Sequence, residues 1–172
     1  MARIAAEPLR TPRLDLVPME TGHAEEMAVV LGDPALYGFI GGTPATPSAL
    51  RDRYARMTAG APQPEVSWCN WVLALRGEGC LAGTVQATVA PDGDGPSAEI
   101  AWVVGVPWQG RGLATEAARA LAGWLRARGV RTLVAHVHPD HHASAAVAAA
   151  AGLAPTGEWH DGEVRWRSAA GG

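Results

Sequence analysis

The chain contains no lysine, only two cysteines and no long apolar run. All 14 of its basic residues are arginine, which excludes chemistry that needs a lysine Schiff base. Cys69 and Cys80 are too few for a disulfide framework, and their spacing fits no zinc ligand set. No segment reaches the roughly 18 apolar residues of a membrane-spanning helix, and the N-terminus lacks the apolar core of a signal peptide. We therefore expect a cytoplasmic protein with no membrane partner.

The charge balance is close to neutral, with a net charge of -3. The composition therefore gives no sign of the basic surface that binds nucleic acid. Hydrophobic residues make up 48% of the 172 residues, which argues against disorder, and the length is typical of one domain. Because no repeat or linker divides the chain, we predict a single domain spanning residues 1–172.

The hydrophobic patterns predict a mixture of strands and helices. The clearest helix covers residues 111–128, where Leu113, Ala117 and Leu121 fall on one stripe. Thr21 is predicted to cap the first helix. The other predicted elements are helices at 23–31, 48–57 and 144–151 and strands at 14–19, 68–75, 80–89, 97–104, 132–138, 153–160 and 164–168. This order predicts an α+β fold in which helices pack on one mixed sheet.

A glycine-rich turn joins the strand at residues 97–104 to the longest helix. It reads Gln109-Gly110-Arg111-Gly112. Unpaired N–H groups at such a helix start bind anions, helped by the positive end of the helix dipole. The two glycines permit a close backbone approach to a phosphate, and the arginine adds a positive charge. The turn is therefore a candidate phosphate-binding loop.

Two well-known phosphate loops do not fit this turn. A Walker loop requires a lysine, which the chain lacks. A dinucleotide-binding loop requires a third glycine where Thr115 stands. That loop also follows the first strand of a βαβ unit, whereas this turn follows a three-stranded meander.

The turn resembles the acyl-CoA pyrophosphate loop of the GNAT acetyltransferase superfamily. The family pattern is Gln/Arg-x-x-Gly-x-Gly/Ala, and Gln109, Gly112 and Ala114 match it. The resemblance covers about residues 9–168 and implies a largely antiparallel central sheet flanked by helices, with acetyl-CoA as co-substrate. It also implies a set of cofactor-binding positions, which are Trp102, Val103, Val104, Gln109, Gly110, Arg111, Gly112, Leu113, Ala114, His141 and Ser144.

Residues 9–14 (LRTPRL) and 138–147 (HPDHHASAAV) resemble the branch of this family that contains the ribosomal-protein N-terminal acetyltransferases. Ser144 matches the branch pattern, whereas His141 stands where an asparagine is usual. An imidazole can also donate or accept a hydrogen bond at that place. The resemblance implies a homodimer and an acceptor amine that is either a protein N-terminus or a small molecule.

Amine acetylation needs a neutral amine, a polarised thioester carbonyl and a proton for the departing thiolate. The resemblance assigns the pantetheine arm and the carbonyl to backbone groups of residues 102–104. It makes Glu99 a candidate base acting through water, although its apolar neighbours predict little water there. Ser144 is a candidate to serve the leaving sulfur, or it caps the short helix that follows.

Four histidines close in sequence, His136, His138, His141 and His142, raise the alternative of a metal site. No cysteine or carboxylate completes a recognisable ligand set, so we predict no bound metal. His138, His141 and Glu158 are alternative candidates for the base. Many relatives use a tyrosine near the last helix as the acid, but both tyrosines of this chain lie far upstream.

We therefore predict an N-acetyltransferase that passes the acetyl group of acetyl-CoA directly to a primary amine in a ternary complex. No Ser-His-Asp or Cys-His set that would form a covalent intermediate is readable. Two alternatives remain. One is a catalytically silent acyl-CoA-binding or regulatory module on the same scaffold, which the missing tyrosine and His141 favour. The other is a nucleotide-dependent oxidoreductase, which a lack of NAD(P) binding would eliminate.

Overall fold

The computed structural model describes residues 3–93 and 95–169, and it places an eight-stranded sheet between helices. The helices are α1 (Ala24–Val30), α2 (Pro47–Ala59), α3 (Leu113–Ala127) and α4 (His142–Ala150). The strands are β1 (Leu9–Arg10), β2 (Leu14–Pro18), β3 (Ser67–Leu75), β4 (Cys80–Asp92), β5 (Gly95–Val104), β6 (Thr132–Val137), β7 (Leu153–His160) and β8 (Glu163–Ser168). Within the described ranges, no helix is both long enough and apolar enough to cross a bilayer.

The strand order is β1-β2-β3-β4-β5-β6-β8-β7. Neighbouring strands are antiparallel except for β5 and β6, which run parallel. The structure therefore confirms the α+β class and the largely antiparallel sheet. The two-residue strand β1 was not predicted, because so short a segment carries no readable periodicity.

The residue alternation along β3 divides the core between the two faces of the sheet. Trp71 and Leu73 pack in the cluster that contains the buried stripe of α3, whereas Val72 packs with α1 and α2. Trp71 is fully buried and meets Trp124 of α3 edge to face, with the ring centroids 5.1 Å apart. The central strands are thus fixed from both sides.

Two helix starts differ from the prediction. Thr21 does not cap α1, since it begins a 3-10 turn, Thr21–His23, that is closed by reciprocal hydrogen bonds between Glu20 and His23. At the start of α4, the Nδ1 atom of His141 accepts the backbone N–H of Ser144 at 3.3 Å. Ser144 therefore lies inside the first turn of α4, and its predicted role as the cap is wrong.

A cleft opens where β5 and β6 separate. The two strands pair only along Ser97–Glu99 and Thr132–Val134. Beyond these residues β5 continues beside β4 to Val104, while β6 continues beside β8 to Val137. The backbone edges of the two parallel strands consequently diverge toward the start of α3 and the start of α4.

Candidate functional site

The cleft between β5, β6 and the first turns of α3 and α4 has a volume of about 810 Å³, which is in the range of ligand sites. It gathers most of the residues that the sequence singled out from three separate segments. The predicted residues that line it are Glu99, Trp102, Val103, Val104, Gln109, Gly110, Gly112, Leu113, Ala114, His141 and Ser144.

The last part of β5 presents a free backbone edge to the cleft. The N–H of Gly105 donates to Ala82 O at 2.8 Å, so the alternate residues Trp102 and Val104 direct their backbone groups away from β4. Both residues lie beyond the last pair with β6. The carbonyl of Val104 accepts a hydrogen bond from the side-chain amide of Gln109 at 2.9 Å. The N–H of Val104 and both peptide groups of Trp102 face the cleft. An extended ligand can therefore pair with β5 as a strand does.

The glycine-rich turn forms a cradle at the start of α3. Gly110 and Gly112 have φ values of 74° and 78°, in the left-handed region that favours glycine. The first helical hydrogen bond runs from Glu116 N to Gly112 O, which leaves the N–H groups of residues 113–115 without a partner inside the helix. This arrangement suits an anion at the end of the strand edge.

Arg111 is the one predicted cofactor-binding residue that does not line the cleft. Its Nη2 atom bonds to Glu78 Oε2 at 2.6 Å, on the turn between β3 and β4. This hydrogen bond holds the pKa of the Glu78 carboxyl below its usual range. In this arrangement Arg111 ties the cradle to a neighbouring turn.

The N-terminal segment also fixes the cradle. Arg13 donates from Nη1 to the carbonyl of Arg111 at 2.7 Å and from Nε to Glu116 at 2.9 Å. Thr11 donates to the same carboxylate at 2.6 Å. Burial alone would raise the pKa of Glu116, but the hydrogen bonds from Thr11 and Arg13 outweigh it and lower the pKa. Glu116 thus joins the start of α3 to residues 11–13.

Glu99 lies where β5 and β6 part, and it bonds to a residue that the sequence did not single out as a base. Its Oε1 atom is 2.8 Å from Nδ1 of His136 on β6. The Glu99 side chain is 57% exposed, so the expectation of little surrounding water is wrong. The His136 ring is mostly buried beside His160, and its Nε2 atom has no partner among the described residues. A proton on Nδ1, shared with Glu99, leaves the lone pair on Nε2.

Ser144 and His141 face the cleft from α4. The Oγ atom of Ser144 accepts the indole N–H of Trp102 at 3.0 Å, which links α4 to the free edge of β5. Burial, with smaller contributions from the charges of His138 and His142, lowers the pKa of His141. Its ring stacks on Phe39 with the centroids 4.4 Å apart.

A second cavity of about 540 Å³ lies between the sheet and helix α2, beside Leu31 and the segment at residues 36–40. It shares Leu36, Ile40 and Val103 with the cleft, so the two spaces meet beside the last residues of β5. Glu99 is on the same face of β5 as Val103, because residues two apart in a strand share a face. The segment that carries Phe39 covers this junction.

The sequence did not reveal that His136 bonds to Glu99 or that Phe39 stacks on His141. His136 was visible only as one of four clustered histidines, and the register of β5 and β6 that brings it to Glu99 was not readable. Phe39 lies within the Gly/Pro-rich segment at residues 38–47, and its contact with His141 spans about 100 residues of chain. Neither pairing leaves a local pattern.

Comparisons with known proteins give a family assignment. The model of the GNAT acetyltransferase domain matches residues 13–154. No curated protein has a sequence that matches the chain significantly.

Solved structures share the fold at low identity. An acetyltransferase from Agrobacterium tumefaciens is 24% identical, with 96% of each chain covered and a TM-score of 0.74. RimL, a ribosomal alpha-N-protein acetyltransferase solved with coenzyme A, is 17% identical, covers 95% of this chain and 98% of its own, and has a TM-score of 0.77. The microcin C7 self-immunity acetyltransferase MccE, solved with acetyl-CoA and AMP, is 16% identical, covers 91% and 92%, and has a TM-score of 0.74.

The family model spans most of the chain, including the cradle, the whole of α3 and both strands that border the cleft. The fold is shared with the solved acetyltransferases over nearly the full length of the chain. The chain therefore belongs to the GNAT acetyltransferase family.

Proposed function

We propose that the protein transfers the acetyl group of acetyl-CoA to a primary amine, on a protein N-terminus or a small molecule, by direct transfer in a ternary complex. The observation that carries this proposal is the free edge of β5 leading straight into the cradle at the start of α3. The edge offers hydrogen bonds to an extended arm with amide groups, and the cradle offers N–H groups to a pyrophosphate.

The residues present fit acetyl-CoA. Gly110 has no other atom within 4 Å of the position where a Cβ would stand, so space is open over the loop. The backbone N–H groups of Trp102 and Val104 are spaced for alternate pairing with an extended chain. A thioester carbonyl near the end of this edge would be polarised by one of these N–H groups. When bound, acetyl-CoA supplies an activated acyl group and a good leaving thiolate.

We propose Glu99 as the base, with His136 orienting it. An alkyl amine is mostly protonated at neutral pH, and only its neutral form attacks a thioester. The exposed carboxylate of Glu99 can take that proton through water, while the bond from His136 Nδ1 holds one of its oxygens in place. Its position on the face shared with the second cavity supports a role toward the acceptor.

We propose Ser144 as the group that stabilises the departing thiolate. Its hydroxyl accepts from the indole of Trp102, so its own hydrogen is free to point into the cleft. As the C–S bond breaks, the sulfur takes the proton of the ammonium formed by the attack, directly or through water, which leaves a neutral amide and the free thiol of coenzyme A. His141, as the cap of α4, fixes the backbone of Ser144.

The proposal is tested by two measurements on the same protein. Calorimetry should show binding of acetyl-CoA, and a thiol-release assay with a panel of primary amines should show an acetylated product by mass spectrometry. Binding without transfer to any amine would favour the silent acyl-CoA-binding module. Binding of NAD(P) in place of acetyl-CoA would favour the oxidoreductase. The single domain over residues 1–172 and the homodimer stay predictions. Light scattering would measure the oligomeric state.

A further inference from the structure

The second cavity has a polar floor and an apolar roof. The floor is formed by neutral side chains of the sheet, including Asn70, Thr84 and Gln86. The roof is formed by apolar side chains of α2 and of the segment at residues 36–40, including Met57 and Ile40. No acidic residue is among the described residues that line this cavity. It therefore offers nothing that would neutralise a cation.

Two residues of α2 that line this cavity, Arg53 and Tyr54, carry hydrogen-bond donors that have no partner among the described residues. Tyr54 is 3% exposed, and its hydroxyl bonds to no atom in the part of the chain that the structure describes. Burial raises the pKa of Tyr54 to about 12, although the charge of Arg53 opposes this, so the phenol keeps its proton. Arg53 also lines the cavity and forms no ion pair with any described residue.

We propose that this cavity binds the acceptor, and that the acceptor is a small primary amine on a mainly apolar body that carries a carboxylate or another oxygen acceptor. This inference rests on the proposed function, because it assigns the acceptor of the same site. The oxygen acceptor takes the donors of Tyr54 and Arg53, and the apolar body contacts the roof. The amine lies toward Val103, where the cavity meets the cleft.

The same chemistry disfavours polycationic acceptors. A second positive charge in the cavity would lose its hydration, meet no carboxylate and be repelled by Arg53. Glu99 is the carboxylate of β5 that lines the cleft, and it serves the reacting amine. The other lining carboxylates, Asp161 and Glu163, belong to the hairpin of β7 and β8. The cavity volume of about 540 Å³ is in the range of sites for small organic molecules.

The inference is tested with four amines that share one body. They are 4-(2-aminoethyl)benzoate, 4-(2-aminoethyl)benzamide, phenethylamine and 4-(2-aminoethyl)-N,N,N-trimethylanilinium. We expect kcat/KM to fall in that order, by about tenfold or more from the first to the last, the size of one hydrogen bond to a charged group. A peptide with a free N-terminus and an aminoglycoside complete the panel.

Matched variants locate the effect. Arg53→Gln and Tyr54→Phe should each lower the preference for the benzoate over phenethylamine about fivefold. Arg51→Gln removes the same charge from the same helix at a position that does not line the cavity, so this preference should be unchanged. Circular dichroism confirms that each variant is folded.

The outcomes separate this inference from the proposed function. Best turnover with the trimethylanilinium, the aminoglycoside or the peptide overturns the inference, as does an equal loss of preference in Arg51→Gln. Calorimetry with the benzoate in the presence of coenzyme A gives an independent reading. Tight benzoate binding that Arg53→Gln weakens, but without product from any amine, supports the cavity assignment and overturns acetyl transfer. An absence of both binding and turnover overturns the cavity assignment as well.

Discussion

The Nδ1 atom of His136 lies 2.8 Å from Oε1 of Glu99, and this bond joins β5 to β6 at the point where the two strands stop pairing. The carboxylate is thereby held at the mouth of the cleft, although most of its side chain is open to water. Its place follows from strand register, since Glu99 is opposite Val134 and His136 is the next residue on that face.

Glu99→Gln should slow turnover by roughly 10²–10⁴-fold, the usual scale of general-base help. The loss should shrink as pH rises, because more of the amine then arrives neutral. Steady-state kinetics between about pH 6 and pH 10 measure this dependence. The matched control is Glu158→Gln, because Glu158, an alternative candidate from the sequence, does not line the cleft and instead faces Arg165 and Arg167. Equal rates for Glu99→Gln and the wild type would leave Glu99 with a structural role and turn attention to His138 and His141.

Gly112→Val should weaken acetyl-CoA binding by about 2 kcal/mol or more, through lost charge-assisted bonds to the phosphates. The residue has a φ of 78°, which a β-branched side chain rarely adopts, and a Cβ there would stand 3.3 Å from the guanidinium of Arg13. Calorimetry on the folded variant is the measurement. Unchanged affinity would contradict the assignment of the cradle.

Gly123→Ala should stabilise the protein by about 0.5–1 kcal/mol and leave acetyl-CoA affinity unchanged. Gly123 is a solvent-exposed residue in the middle of α3, and no atom is within 4 Å of the position where a Cβ would stand. Chemical denaturation measures the stability. A loss of stability would show a contact or strain that the structure does not contain.

Ser144→Ala should lower kcat with little change in acetyl-CoA affinity if the hydroxyl serves the leaving sulfur. Since His141 is the cap of α4, the change removes no cap, and its structural cost is limited to the bond with the Trp102 indole, about 1 kcal/mol. Comparing kcat with the unfolding free energy separates the two roles. A full rate combined with lower stability would show that Ser144 only anchors Trp102.

His141 should make stability depend on pH below neutrality. Burial lowers its pKa, so near and below its ordinary value of 6.5 the unfolded chain binds more protons than the folded one. Stability should therefore fall as pH drops below that value, and the fall should end below the folded pKa. A protonated Nδ1 cannot accept the N–H of Ser144.

His141→Asn supplies a capping residue that does not titrate, and it should remove this pH dependence while keeping α4 capped. His142→Asn, in the exposed neighbouring residue, is the control. Melting temperatures at pH 7.5 and pH 5.5 are compared for the three proteins. A drop in His141→Asn as large as in the wild type would place the responsible group elsewhere.

Features encoded by neighbouring residues were predictable from the sequence. The cradle was recognised from Gly110 and Gly112 because the glycines, the strand before them and the helix after them are contiguous. Ser144 was considered as a cap of α4 because serine is a common cap and histidine is not, yet the geometry places His141 there. The bond between Glu99 and His136 joins residues 37 apart in the chain and depends on the register of β5 and β6, which no local pattern encodes.

The sheet consists of two pieces, because only three residue pairs join β5 to β6. One piece contains β1 to β5 and the other contains β6, β8 and β7. An extended ligand along the edge of β5 would stand in for the missing length of strand and bridge the gap between the pieces. Its binding would then add to the folding free energy, by about 2.7 kcal/mol at a hundredfold excess over Kd. The lifetime of the folded protein in the cell would therefore depend on the concentration of acyl-CoA.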